Sequence, residues 1–225
     1  MSIFTLALKE NTRHRINLFL ICLFPFPLLL IPTNGVSFPF GINLYGMLIF
    51  YTAFLLSRPI AEDRMKGMIV RIAASPISAF QYLSSHLAAY FLLLGLQILL
   101  FIAGSAFVHR LEPLVYLKLF SLYISFAVMS TAFSVAWNSL FRSFNLSFGL
   151  FAGLASILCL VSGISIPLLI IPQSIQRFAM FLPMYWLPYG IEALRAFRYA
   201  DMLLAHAILL GYAAVFLLAG TRRKI

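Results

Sequence analysis

The chain has 225 residues, 63% of them hydrophobic and 10% charged, with a formal net charge of +10. A soluble domain of this length needs far more polar surface to cover its core, so the composition excludes a soluble globular protein. The basic residues fall mostly between apolar runs, where they orient membrane helices, and none of them forms the aromatic-interleaved stretch of a nucleic-acid surface.

Residues 1–15 carry Ile3, Leu6 and Ala7 on one side and Lys9, Arg13 and Arg15 near their end. This pattern predicts an amphipathic helix lying at the membrane interface. The apolar run 16–32 follows those charges as a secretory signal would, but Pro32-Thr33-Asn34 comes next instead of a small-residue cleavage site. It therefore reads as the first transmembrane helix, kinked at Pro25 and Pro27. Further spans are predicted at 40–57, 77–108, 115–137, 146–170 and 202–220, each near the roughly 20 residues a bilayer requires. The third is longer than a bilayer needs and is expected to tilt or project. The expected fold is thus an all-α membrane protein, a single domain over 1–225 with six transmembrane helices. Cys22 and Cys159 both lie inside apolar runs and read as small hydrophobes, not a disulfide.

Basic residues set the expected orientation. With the amino terminus inside, the cytoplasmic pieces hold Lys9, Arg13, Arg15, Arg58, Arg64, Lys66, Arg71, Arg142, Arg222, Arg223 and Lys224, eleven in all. The external pieces hold five, Arg110, Lys118, Arg177, Arg195 and Arg198. The asymmetry places both termini in the cytoplasm of a multi-pass protein of the cell membrane.

Three connections stand out. Between spans two and three, residues 58–76 hold two of the six acidic and four of the sixteen basic residues. Met65, Met68, Ile69 and Ile72 recur there at helical spacing with Arg64, Lys66 and Arg71 off that face, and Ser75-Pro76 reads as an N-cap and first helical position. A short amphipathic helix that transmits force from a docked partner and a solvated loop with stop-transfer charges both fit this pattern. After span five, Pro167 and Pro172 interrupt the apolar run, and Ile175, Phe178, Ala179 and Leu182 return at helical spacing. Short helices re-entering the outer leaflet over 171–200, or a simple external amphipathic loop, would each produce it. In the third connection Glu192 and Arg195 sit three apart and can pair on an interfacial helix before span six. His86 and His206 each stand alone near an apolar run, which suits packing or a hydrogen bond better than metal ligation.

The span centres carry no carboxylate of the kind that marks proton pathways, and the chain has no glycine-rich phosphate loop, nucleophile motif or metal-ligand spacing. No catalytic, cofactor or metal residue is expected. A membrane-embedded lipid-modifying enzyme would need clustered carboxylates or histidines, and Glu62 and Asp63, the one adjacent acidic pair, point apart on a helix. A channel or scaffold would show a filter or charged ring. A chain that moves cargo without an ATP site or proton relay must draw energy from a partner.

The run Ala61-Glu-Asp-Arg-Met-Lys-Gly-Met-Ile-Val-Arg-Ile-Ala-Ala-Ser-Pro-Ile-Ser78 resembles the cytoplasmic loop of ABC-2 type permeases, with Met68 where that family commonly has Thr. Gly163, Pro167, Pro172, Pro183 and Trp186 are similar to the family's fifth-helix region. The resemblance implies a permease subunit of an ABC exporter, pairing with a second permease and docking on cytoplasmic ATPase subunits that bind ATP and magnesium. Its cargo would be a hydrophobic or amphipathic drug, peptide, lipid or glycan. Glu62, Asp63, Arg64, Lys66, Gly67, Arg71, Ser75 and Pro76 would then form the ATPase-coupling segment. Ser162, Gly163, Pro167, Pro172 and Pro183 would lie at the translocation gate. Membrane lipids are its other expected partners, and nucleic acid is not one.

The charge asymmetry carries a direct test. A reporter fused to the carboxy terminus should read as cytoplasmic, and Gly35→Cys should react with an impermeant thiol reagent from outside. An external carboxy terminus overturns the six-span arrangement.

Overall fold

The computed structural model describes residues 3–13, 15–31, 39–65, 79–168 and 170–222. Among these residues the chain is helical with no strand. In chain order the helices are α1 (Ile3–Arg13), α2 (Arg15–Cys22), α3 (Pro25–Leu29), α4 (Phe40–Leu56), α5 (Arg58–Met65), α6 (Ala79–His109) and α7 (Pro113–Asn138). They continue with α8 (Phe144–Val161), α9 (Gln173–Ala179), a 3₁₀ turn (Pro183–Tyr185), α10 (Trp186–Arg195) and α11 (Tyr199–Arg222).

Five of the described helices are long and apolar enough to cross a membrane: Phe40–Met65, Gln81–His109, Pro113–Asn138, Phe144–Val161 and Tyr199–Gly220. The protein is a multi-pass membrane protein. The first apolar run is not one helix but two. Pro25 and Pro27 lack the N–H groups that would extend α2, and the chain closes α2 with Phe24 N–H donating back to Phe19 O at 3.0 Å before α3 restarts at Pro25. Residues 15–29 would reach only about 22 Å as a helix, short of the roughly 30 Å hydrocarbon layer.

The span expected at 146–170 also ends early, at Val161. Gly163 takes φ +91°, a left-handed conformation that a side chain disfavours, and turns the chain so that the Ile164 and Ser165 amides donate to Cys159 O at 3.1 and 3.0 Å. The helix therefore stops before Pro167 is reached. In α1 the buried line is Ala7 and Asn11, packed toward α5 and α6, while Leu6 is half exposed. Of the side read as Ile3, Leu6 and Ala7, Ala7 is buried and Ile3 partly buried, and Leu6 lies off it.

Helices in lipid gain nothing by burying leucine against leucine, so close packing of small residues decides which ones meet. α4 and α7 form the centre: the most apolar 18-residue stretch of each of these spans is 67% buried, against 22% for α8 and α11. α7 presents Ala127, Ser130, Thr131, Ala132 and Ser134, all buried. α11 runs along it, and a Cβ at Gly220 would lie 3.3 Å from the Ala136 Cα. Aromatic rings fill what the small residues leave. Phe54 stacks on Phe151 at 3.9 Å between centroids, with Phe50 tilted beside it at 4.8 Å, while Tyr45 stacks on Phe101 at 3.7 Å and meets Tyr123 edge-on. Tyr123 also donates to Ile42 O at 2.7 Å, joining α7 to the start of α4.

Gly41 marks the closest approach of α3 to α4, because a Cβ there would fall on the Leu28 carbonyl oxygen, which is backbone and cannot rotate aside. Gly41→Ala should therefore destabilise the fold by about 1–3 kcal/mol, as overpacking does. Gly95→Ala, whose Cβ would meet nothing within 4 Å, should be neutral. Thermal unfolding of the two variants in one detergent checks the contrast, and equal midpoints contradict this packing.

Candidate functional site

The second span does not end where its apolar character does. A single residue, Ser57, separates α4 from α5, and its hydroxyl donates to Phe54 O at 2.7 Å, occupying one of the carbonyls that a helix end leaves free. Pro59 is tolerated because the first turn of a helix needs no N–H there. Residues 58–65 are therefore helix and not loop. Glu62, Asp63 and Arg64 are described; Lys66, Gly67, Arg71, Ser75 and Pro76 lie outside the described residues, as does Met68.

The described charges of α5 are tied to one another and to three other helices. The Arg58 guanidinium donates to Glu62 at 2.5 Å, one turn on, and lies 5.1 Å over the Phe144 ring of α8. Asp63 accepts a 2.6 Å hydrogen bond from the Tyr82 hydroxyl near the start of α6. Arg64 donates to the Gly220 carbonyl at 3.1 Å, in the last turn of α11, where carbonyls lack helical partners and the helix dipole favours a cation. A short charged helix is thereby fastened to α6, α8 and α11 at one end of the bundle.

Behind these contacts lies a buried polar node. Asn138 ends α7; its amide nitrogen donates to Ser57 Oγ at 2.9 Å and its carbonyl oxygen accepts from Ser147 Oγ at 2.6 Å. Trp137 Nε1 reaches Ser147 O at 3.2 Å. The hinge between α4 and α5 is thus locked to α7 and α8 by an amide whose donor and acceptor are both used. On α6, His86 is buried between rings, its centroid 4.4 Å from Tyr82 and its Nδ1 3.3 Å from the Tyr90 hydroxyl. It packs and hydrogen-bonds, as expected for an isolated histidine.

The second set of expected residues lies at the opposite end. Ser162 is buried just before Gly163; Pro167 sits in the following turn, Pro172 flanks α9, and Pro183 opens the 3₁₀ turn. Gln176 stabilises the irregular backbone: its Nε2 donates to Leu168 O and to Ile171 O, both at 2.7 Å. Trp186 Nε1 donates to Met180 O at 3.1 Å, and the Tyr212 hydroxyl to Phe181 O at 2.8 Å. Gly46 on α4 makes room here, since a Cβ would collide with Leu187 and sit 3.6 Å from Ile164. Burial, with Tyr189 beside it, pushes the Tyr185 phenol above its ordinary range, so it stays neutral in physiological conditions. Glu192 and Arg195 pair at 3.4 Å on α10.

Sequence reading did not single out Tyr82, Asn138, Ser57, Ser147 or Gly220. Asn138 had a visible signal, a polar amide at the last position of an apolar span; the others required the fold. Among the described residues no group of three His, Cys, Asp or Glu could hold a metal. A family model described as ABC-2 family transporter protein matches residues 19–222, nearly the whole chain. No curated protein matches the chain.

The polar node predicts its own disruption. Asn138→Leu removes both bonds and strands the Ser147 hydroxyl, while Ser57 keeps its bond to Phe54 O; stability should fall by about 1–3 kcal/mol. Tyr82→Phe, which removes a partly buried bond to a carboxylate, should fall near the lower end of that range. Thermal midpoints in detergent measure both, and an unchanged Asn138→Leu would contradict the bridging role.

Proposed function

This chain belongs to the ABC-2 family of transporter proteins, and from that membership we propose that it is the permease subunit of an ABC exporter, moving a hydrophobic or amphipathic substrate on ATP hydrolysed by a separate subunit. The observation that supports this reading is the fastening of α5 to α6, α8 and α11. A cytoplasmic ATPase that binds ATP and magnesium and docks beneath α5 moves it as its nucleotide state changes. Displacement of α5 pulls on Tyr82, Gly220 and Phe144 together, so three spans receive one stroke.

In this reading Glu62, Asp63, Arg64, Lys66, Gly67, Arg71, Ser75 and Pro76 form the coupling segment and both termini are cytoplasmic. Ser162, Gly163, Pro167, Pro172 and Pro183 then belong to the external gate. There the backbone carbonyls are held by one side chain, Gln176, so the turn can be rewired without unfolding a helix. A second permease subunit completes the path. Gly149 and Gly153 on α8 support such pairing, since a Cβ at either would meet nothing within 4 Å and small residues four apart let a neighbouring helix approach closely.

The test is charge reversal at the coupling segment. Glu62→Lys with Asp63→Lys turns attraction to an ATPase surface into repulsion worth several kcal/mol. The variant should insert normally, yet lose transport and release or uncouple the ATPase. Tyr82→Phe serves as the control for the lost Asp63 hydrogen bond and should keep the ATPase bound, as should Glu192→Lys at the other end. Full transport and full ATPase co-purification by the double reversal would refute the coupling role. The chain purified alone should hydrolyse no ATP.

A further inference from the structure

The end of the bundle opposite α5 holds a second polar feature, on the exposed side of the seam where α7 packs on α11. The Lys118 ammonium lies 3.6 Å from the centre of the Tyr199 ring. No carboxylate pairs with Lys118 among the described residues, and the nearby acid Asp201 already binds Arg198 at 2.8 Å. One turn deeper, His206 Nε2 meets Ser121 Oγ at 3.2 Å across the seam. The same imidazole's Nδ1 lies 2.8 Å from Met202 O, a carbonyl that can only accept, so Nδ1 carries a proton. The Ser121 hydroxyl lies 2.8 Å from Lys118 O on its own helix. Leu117 and Leu203, 65% and 69% exposed, flank this line on the two helices.

Depth separates these groups into two tiers. Lys118 is five residues from the end of α7 and His206 seven from the end of α11, about 8 and 10 Å along their axes, and Ser121 about 12 Å. α7 is about 39 Å long against a hydrocarbon layer of about 30 Å, so the lysine head reaches the polar border while the Ser121–His206 pair lies just inside it. A lysine head at the polar border with no carboxylate beside it can face the anionic headgroup of a lipid.

We propose that the exposed line of Lys118, Ser121 and His206 along this seam binds a glycerophospholipid with an anionic headgroup. Its phosphate rests on Lys118, its glycerol-ester carbonyls reach the Ser121–His206 level, and its acyl chains follow Leu117 and Leu203. The Ser121 hydroxyl turns from the Lys118 carbonyl to the ester, and Tyr199 keeps the ammonium from wandering to solvent. The assignment rests on α7 and α11 lying in the bilayer, and not on the transport reading.

The test places the full chain in nanodiscs of equimolar phosphatidylglycerol and phosphatidylcholine and measures the lipids retained after extraction by native mass spectrometry. The wild type should retain phosphatidylglycerol preferentially. Lys118→Gln should lower that enrichment about fivefold, the factor expected for one basic residue facing an anionic lipid. Lys118→Arg keeps the charge and should keep the enrichment, which separates charge from folding. Arg198→Gln, a cation of the same end already paired with Asp201, should change nothing, and excess inorganic phosphate should not displace the lipid. Absence of enrichment in the wild type, an unaltered Lys118→Gln, loss of enrichment in Lys118→Arg, an equal fall in Arg198→Gln or displacement by phosphate would each overturn the proposal.

Discussion

Hydrocarbon offers no hydrogen-bonding partner, so a chain that crosses it must satisfy every interrupted backbone group from its own atoms. This constraint explains why the described breaks in this protein carry specific repairs. At Ser57 the repair is the residue's own hydroxyl, at Gly163 a reversal onto the Cys159 carbonyl, and beyond Pro167 the amide of Gln176 on two carbonyls. Where repairs exist, the backbone can change direction within the membrane protein without exposing bare polar groups, and both candidate sites are built at such places.

The centre of the bundle follows from a related limit. Because apolar area alone does not draw helices together in lipid, contact depends on surfaces that fit. α7 supplies a run of small residues, and α4 and α11 approach it closely enough for ring stacking and backbone contact to take over. Two polar groups of α7 bind across helices, Tyr123 toward the start of α4 and Asn138 toward the α4–α5 hinge. The arrangement leaves a rigid central pair with more exposed helices around it.

Much of this was legible in the residues. Apolar run lengths located every long span, and the pairs Pro25/Pro27 and Pro167/Pro172 marked where helices would fail. The number of residues lost to each break was not legible. Proline marks a region of failure, whereas the actual stop after Val161 is set by the left-handed turn at Gly163, four residues before the first proline. In the 58–76 segment, charge and periodicity identified a special stretch, but not that Asp63 and Arg64 would be spoken for by Tyr82 and Gly220. Those partners are 19 and 156 residues away, and no local pattern connects them. Likewise Asn138 looked like the ordinary polar end of a span until folding set Ser57 and Ser147 on either side of it.

The early stop at Gly163 has a further consequence for the surrounding lipid. α8, at 18 residues, is about 27 Å long, while α6, at 31 residues, is about 46 Å. The two flanks therefore ask for different thicknesses of the same membrane. Lipid beside α8 must thin or its helix must stand nearly upright, and lipid beside α6 is met by tilt. Longer acyl chains would strain the α8 flank first, making this face of the protein the one that responds to the elastic state of its bilayer.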